Sequence, residues 1–178
     1  MKARDALKRA TRDVHDRLDA ILSSYRLDQR DDYGAFLGAQ AGAFLPVERA
    51  LTAASASRLI EGWNEALRGR LLLDDLAALG CSDIREVTAP TYVSNADLLG
   101  GIYVLEGSRM GAAVLLRDVP AGFPRAFLAA RSPAGRWGAF VATLERKLVS
   151  PVEIEQAKDS ARRTFACFEQ SAGQDWTI

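Results

Sequence analysis

One imidazole and one pair of bare backbone positions are the features whose residue types and spacing could do chemistry. His15 is the only histidine of the chain. At 100° per residue it falls beside Thr11, Leu18 and Leu22 on one side and Lys8, Arg12 and Asp19 on the other, at a polar–apolar boundary. Two readings are open. An edge histidine exposed to solvent is the ordinary one. A neutral imidazole acting as a metal ligand is the other, with Lys8 about 10 Å away along the same face by helix rise; that spacing suits a flat, iron-bearing ligand with anionic groups at one edge. The second feature is YVLEGSRMGAAVLL, a strongly helical stretch with Gly107 and Gly111 one turn apart and Ser108 between them. A glycine inside a helix costs about 0.5–1 kcal/mol relative to alanine. Removing two side chains from one face lets something reach the backbone, either a rigid ligand or a second helix.

Other chemistries are pruned by what is missing. A single histidine excludes the paired Glu-x-x-His motifs of ferritin-like di-iron sites and excludes histidine-rich zinc sites. The order Gly107-Ser108-x-x-Gly111 is not the Gly-x-Ser-x-Gly of a nucleophile elbow, and it lies within a helix rather than at a strand-to-helix turn. Cys81 and Cys167 form no CxxC, so they read as reduced thiols rather than a zinc site or disulfide framework. No flavin or nicotinamide fingerprint is present, so a redox reaction would draw its electrons from outside the chain.

The elements that must position these residues are helices. Leu7, Val14, Leu18, Ile21, Leu22 and Tyr25 mark one face of a first helix. A second is predicted from about Asp32 to Ala54, kinked near Pro46, and a third from about Ser57 to Leu79, ended by Gly80. CSDIREVTAPTYV is the one plausible place for a short extended segment. Three later starts carry capping signals: Ser94 with Asp97, Ser132 before Pro133, and Ser150 before Pro151 with Glu153. They predict helices over about 94–117, 133–149 and 151–171, and PAGFPRAFLAARS connects the first two with room for one short helical turn. No repeat, low-complexity run or long linker divides the chain. The expectation is one all-α domain over residues 1–178.

Composition agrees with that class. The 178 residues are 48% hydrophobic and 26% charged, with 23 basic and 23 acidic side chains; that is ordinary globular usage and gives no overall pull toward nucleic acid or an anionic membrane. The N-terminus lacks the apolar core of a signal peptide, and no stretch approaches the ~18 apolar residues of a membrane span. A soluble, cytoplasmic protein is expected.

Two segments resemble the haem oxygenases, and among them the bacterial type that supplies biliverdin to phytochromes. ALKRATRDVHDRLDA is similar to the family's proximal helix, and YVLEGSRMGAAVLLR to the distal helix that crosses the other face of haem. Weaker similarity runs through DYGAFLGAQAGAFLPVERAL, RGRLLLDDLAALG, GRWGAFVATLERKL and AKDSARRTFACFE, in the family's order and over most of the chain. The resemblance implies a haem oxygenase-like helical bundle that uses haem as both cofactor and substrate. Its reaction would be oxygen-dependent cleavage to biliverdin, carbon monoxide and iron. It also implies an external electron donor, a ferredoxin or an NAD(P)H-dependent reductase, with a phytochrome as a candidate acceptor of biliverdin.

On this resemblance His15 is the proximal iron ligand, Lys8 a propionate partner, and Gly107, Ser108 and Gly111 the distal wall. Thr11, Arg109 and Arg136 join the haem-binding set, with Arg146 and Lys147 as alternatives to Arg136 for the propionates. For each of these basic residues a solvated helix face is the competing reading. The sequence also departs from the family. Ala112 stands where many relatives carry a further glycine, and Ser108-Arg109 stands where some carry an aspartate that organises distal water. Two rivals follow: a haem-binding or haem-transfer protein on the same scaffold, and a helical interaction domain whose glycines serve packing alone.

Overall fold

A computed structural model describes residues 2–176. Eight α-helices follow one another among them: α1 (Ala3–Ala10), α2 (Arg12–Leu22), α3 (Arg30–Ala53), α4 (Gly69–Leu79), α5 (Asn95–Leu115), α6 (Ala126–Ala129), α7 (Arg136–Lys147) and α8 (Pro151–Ala172). Single turns of 3₁₀ helix occur at Ala56–Arg58, Asn64–Ala66 and Leu116–Asp118. No strand occurs among the described residues, so the fold is all-α.

Two of the three capping signals operate as their chemistry predicts. Ser94 Oγ accepts from Asp97 N at 3.0 Å while Asp97 Oδ2 accepts from Ser94 N at 3.1 Å. The same reciprocal box starts α8, with Pro151 in its first turn: Ser150 Oγ accepts from Glu153 N at 3.2 Å and Glu153 Oε2 from Ser150 N at 2.9 Å. Each box satisfies helix-end N–H groups that would otherwise lack partners. The two helices then pack closely. A Cβ on Gly100 would land on the carbonyl oxygen of Ala157, and Ser160 Oγ donates to Asp97 O at 2.7 Å. Helix α3 lies against α8 too, with Ser171 Oγ donating to Ala39 O at 2.8 Å. Gly38 and Gly42 make room there for the Trp176 ring.

Three expectations are corrected. The first helix is two, because Thr11 takes φ −108° and ψ 1° while its hydroxyl donates back to Leu7 O at 2.9 Å; such back-bonding competes with the helical ladder and bends it. The third helix begins only at Gly69. Ser55 and Gly62 both take the left-handed φ of 66° that interrupts a helix, and the start of α4 is set from a distance, by Glu48 of α3 accepting from Arg68 N at 2.8 Å and Gly69 N at 2.9 Å. Helix α7 begins after Gly135, at φ 79°, so Ser132 lies outside it. Residues 81–93 are non-helical, as their composition predicts, and pair in no ladder; their Val87 N donates to Gly42 O at 2.8 Å.

Helix α3 continues through Pro46 without interruption. The 95–118 stretch is, contrary to the sequence expectation, long and apolar enough to cross a membrane by length and composition. Half of it is buried within the protein, where α5 forms the central helix.

Candidate active site

A cavity of about 550 Å³ opens between α1–α2 on one side and α5 on the other, with α3 and α8 contributing its floor. The elements that face it are held from outside. Helix α1 has no side-chain cap of its own; instead Glu145 of α7 accepts from Ala3 N at 2.9 Å and Arg4 N at 3.1 Å. Helix α2 is tied to α8 by Arg17 Nε donating to Glu169 Oε1 at 2.8 Å. The Phe165 ring of α8 meets the imidazole of His15 edge-on, with centroids 5.9 Å apart.

Lys8, Thr11, His15, Gly107, Ser108 and Gly111 all line this one cavity. His15 is half-exposed, and its Nδ1 lies 3.1 Å from Asp19 Oδ2 one helical turn on. A carboxylate at Nδ1 fixes the tautomer that leaves Nε2 as the lone-pair atom, which is the arrangement of a metal-ligating imidazole. Opposite, a Cβ placed on Gly107 or on Gly111 would meet no atom within 4 Å. On the same helix a Cβ at Gly101 would sit 2.5 Å from the Tyr92 ring. Helix α5 therefore uses glycine in two ways: Gly100 and Gly101 admit neighbouring groups, whereas Gly107 and Gly111 open onto empty space. No helix among the described residues packs on the latter pair.

The polar feature of the α5 wall is one that sequence reasoning missed. Arg68 is 2% exposed and lies between the rings of Phe44 and Phe127, 5.0 and 4.9 Å from their centroids. Its Nη2 donates to Ser108 Oγ at 2.7 Å, and that hydroxyl in turn donates to Leu105 O at 2.7 Å. Burial, reinforced by the neighbouring Arg109 charge, pulls the Arg68 guanidinium down to about 9. Phe127 is itself positioned by the buried Asp75, which accepts from Ala126 N at 3.0 Å and Phe127 N at 2.8 Å. Nothing local in R-G-R marks its first arginine as buried; the aromatic rings and Ser108 that enclose it come from three other helices.

The basic rim also differs from the sequence expectation. Arg4 and Arg12 join Lys8 at four-residue spacing along the cavity edge, all three exposed. Arg109 and Arg136 do not line this cavity. Arg136 makes a two-pronged contact with the buried Glu106, Nε to Oε2 and Nη2 to Oε1, each at 3.0 Å. Arg109 Nε lies 3.5 Å from Glu106 Oε1, and its Nη2 donates to Ala66 O. Both face a second cavity behind α5, as does Arg146, whose Nη2 donates to Thr143 Oγ1 at 3.1 Å. Lys147 is exposed and lines neither cavity. The Glu106 pairing is the reason: a buried carboxylate draws guanidinium groups inward rather than leaving them for an edge ligand.

Among the described residues no group of three or more His, Cys, Asp or Glu side chains could hold a metal. His15 can therefore supply one bond to a metal that arrives already chelated. A planar ring-bound iron meets that condition, and the bare Gly107 and Gly111 surface with a cationic rim fits a flat dianion.

The chain is 35% identical over 114 residues to the "Heme oxygenase" of Xanthomonas campestris pv. campestris (strain 8004), an alignment covering 60% of this chain and 68% of that protein. Its fold is similar to that of the NO- and CO-bound haem oxygenase from Neisseria meningitidis. The TM-score is 0.80 at 25% identity, over 97% of this chain and 90% of that one. No family model matches the chain.

Proposed function

The chain belongs to the haem oxygenase family, and from that membership we propose that it cleaves haem in the cavity between His15 and the Gly107–Gly111 surface, releasing biliverdin, carbon monoxide and iron. The observation that carries the assignment of the site is the meeting of a lone imidazole and two side-chain-free positions across one cavity. Haem, when bound, supplies both the iron that reacts with oxygen and the macrocycle that is opened.

The residues of the chain then divide the remaining work. His15 holds the iron through Nε2 while Asp19 keeps Nδ1 protonated and the ring oriented. Gly107 and Gly111 let the macrocycle lie against backbone and leave space for a small diatomic molecule. Ser108 is the polar group of that wall; its Oγ accepts from the Arg68 guanidinium and donates to Leu105 O, which leaves one lone pair to accept from and orient an ordered water. Lys8, with Arg4 and Arg12, orients the propionates; being exposed, these cations contribute more to orientation than to affinity. Thr11 sets the angle between α1 and α2 and so the relation of the cationic rim to His15.

Electrons come on this reading from a separate ferredoxin or NAD(P)H-dependent reductase, and the product is available to a phytochrome in the cytoplasm. The reading is tested by titrating the purified protein with hemin and then adding oxygen and a reductant. A saturable Soret band that gives way to the biliverdin spectrum is expected in the wild type. His15→Ala should lose the Soret signature and turnover together. An unchanged Soret band in that variant would remove His15 as ligand, and haem retained without ring opening would mark a carrier.

A further inference from the structure

Behind α5, on the side away from His15, lies a cavity of about 1000 Å³. Its walls are the 57–67 loop, the 130–135 segment and one face of α7. Six arginines line it, Arg58, Arg68, Arg109, Arg131, Arg136 and Arg146, against two glutamates, Glu61 and Glu65. The inner three guanidiniums share very little negative charge. Glu106 is 3% exposed, and both of its oxygens already accept from Arg136. Glu48, the other carboxylate nearby, is engaged by the backbone N–H groups of Arg68 and Gly69.

Two donors are left over. Arg68 Nε and Arg109 Nε are buried and make no hydrogen bond; Arg109 Nε has only a long ion-pair approach to Glu106 Oε1, at 3.5 Å, and the two side chains are 9% and 2% exposed for Arg109 and Arg68. Burying an N–H donor of a guanidinium without an acceptor is costly, and placing several such cations around one carboxylate adds repulsion. Desolvation is also the leading cause that lowers both Arg68 and Arg109. An oxyanion relieves both penalties, since it brings charge and acceptor lone pairs to the same point. The walls add a second requirement: Leu59, Ile60, Leu71 and Phe140 face the same space, so the occupant has an apolar body.

We propose that this cavity is a second binding site, for a small organic anion whose phosphate or carboxylate group is held by Arg109 and Arg68, with Arg58 and Arg131 at its mouth. It does not depend on haem being the ligand of the first cavity, because α5 separates the two and only Arg68 lines both.

Calorimetric titration of the purified protein, with and without hemin, tests it with phenyl phosphate, 3-phenylpropanoate and inorganic phosphate at matched ionic strength. Saturable binding of phenyl phosphate or 3-phenylpropanoate at one site per chain is expected, and the tighter of the two identifies the head group. Arg109→Met should weaken it about tenfold or more, the scale of a charge-assisted hydrogen bond. Because Arg109 contacts the buried Glu106, the exposed pair Arg58→Ala/Arg131→Ala is the companion variant. It should weaken binding roughly threefold or more while leaving the thermal midpoint unchanged. Lys8→Ala/Arg12→Ala, at the rim of the other cavity, should leave anion affinity as it was. The proposal is overturned if no probe binds saturably, if the arginine variants of the second cavity bind as the wild type does, or if the Lys8/Arg12 variant abolishes binding.

Discussion

At the scale of single residues, α5 shows how one amino-acid type serves opposite ends. Gly100 is needed because backbone of α8 occupies the place of a Cβ, whereas at Gly111 that place is empty. Gly100→Ala should therefore lower stability by about 1–3 kcal/mol through overpacking. Gly111→Ala should raise the stability of the ligand-free protein by about 0.5–1 kcal/mol, the ordinary helical gain, while weakening hemin binding. Chemical denaturation beside hemin titration checks both; a Gly111→Ala protein that binds hemin as well as the wild type would remove that glycine from the site. Arg68 gives the pH-dependent case. A base whose folded value is lowered from the ordinary arginine range to about 9 has its charged form penalised in the fold. That penalty is complete below about pH 9 and is relieved as pH rises from there toward the ordinary arginine range. Arg68→Met should thus be at least as stable as the wild type at pH 7 and show a flatter stability profile above pH 9, yet turn over haem more slowly, since Ser108 loses its donor. The spacing of Gly107 and Gly111 was legible in sequence, but what occupied the space above them was not: that depends on a helix distant in the chain.

At the scale of elements, the starts of the helices that begin with a reciprocal capping box were readable to within a residue, because Ser94 with Asp97 and Ser150 with Glu153 satisfy their own helix ends locally. The cap of α8 also carries a pH signature. Hydrogen bonds from the Ser150 backbone and hydroxyl, and then from Val149 N, hold the Glu153 carboxyl below its ordinary value of 4.5. A depressed folded value means stability present above the unfolded value and lost as pH falls through the folded one. Thermal midpoints of the wild type should accordingly drop below about pH 4.5 more steeply than those of Glu153→Gln, which starts lower at neutral pH. Parallel profiles for the two would sink this account. Helices α1, α4 and α6 could not be delimited in the same way. Their first N–H groups are taken by Glu145, Glu48 and Asp75, each from a different helix, and no window along the sequence contains both partners.

At the scale of the whole molecule, the proposed haem site is a gap between two helical layers seated on α8. Helix α2 fully buries only Leu18 of its eleven residues, so in the ligand-free protein it rests lightly over the cavity. A ligand bound only to the folded state stabilises it by mass action, about 2.7 kcal/mol at a hundredfold excess over Kd. Hemin should therefore slow amide exchange in Arg12–Leu22 and raise the thermal midpoint, and neither change should occur in His15→Ala; exchange in α2 that is indifferent to hemin would place the ligand elsewhere. The chain by itself determined the helical class, the candidate imidazole and the bare face of α5, since each is a matter of periodicity, composition or local spacing. Only tertiary structure decided that His15 and Gly107–Gly111 look into one cavity, that Arg68 is sealed between Phe44 and Phe127 behind Ser108, and that Arg109 and Arg136 turn the other way toward Glu106. The physical reason is that a charged side chain goes where its counter-charge and its shelter from water are, and packing of distant helices assembles both.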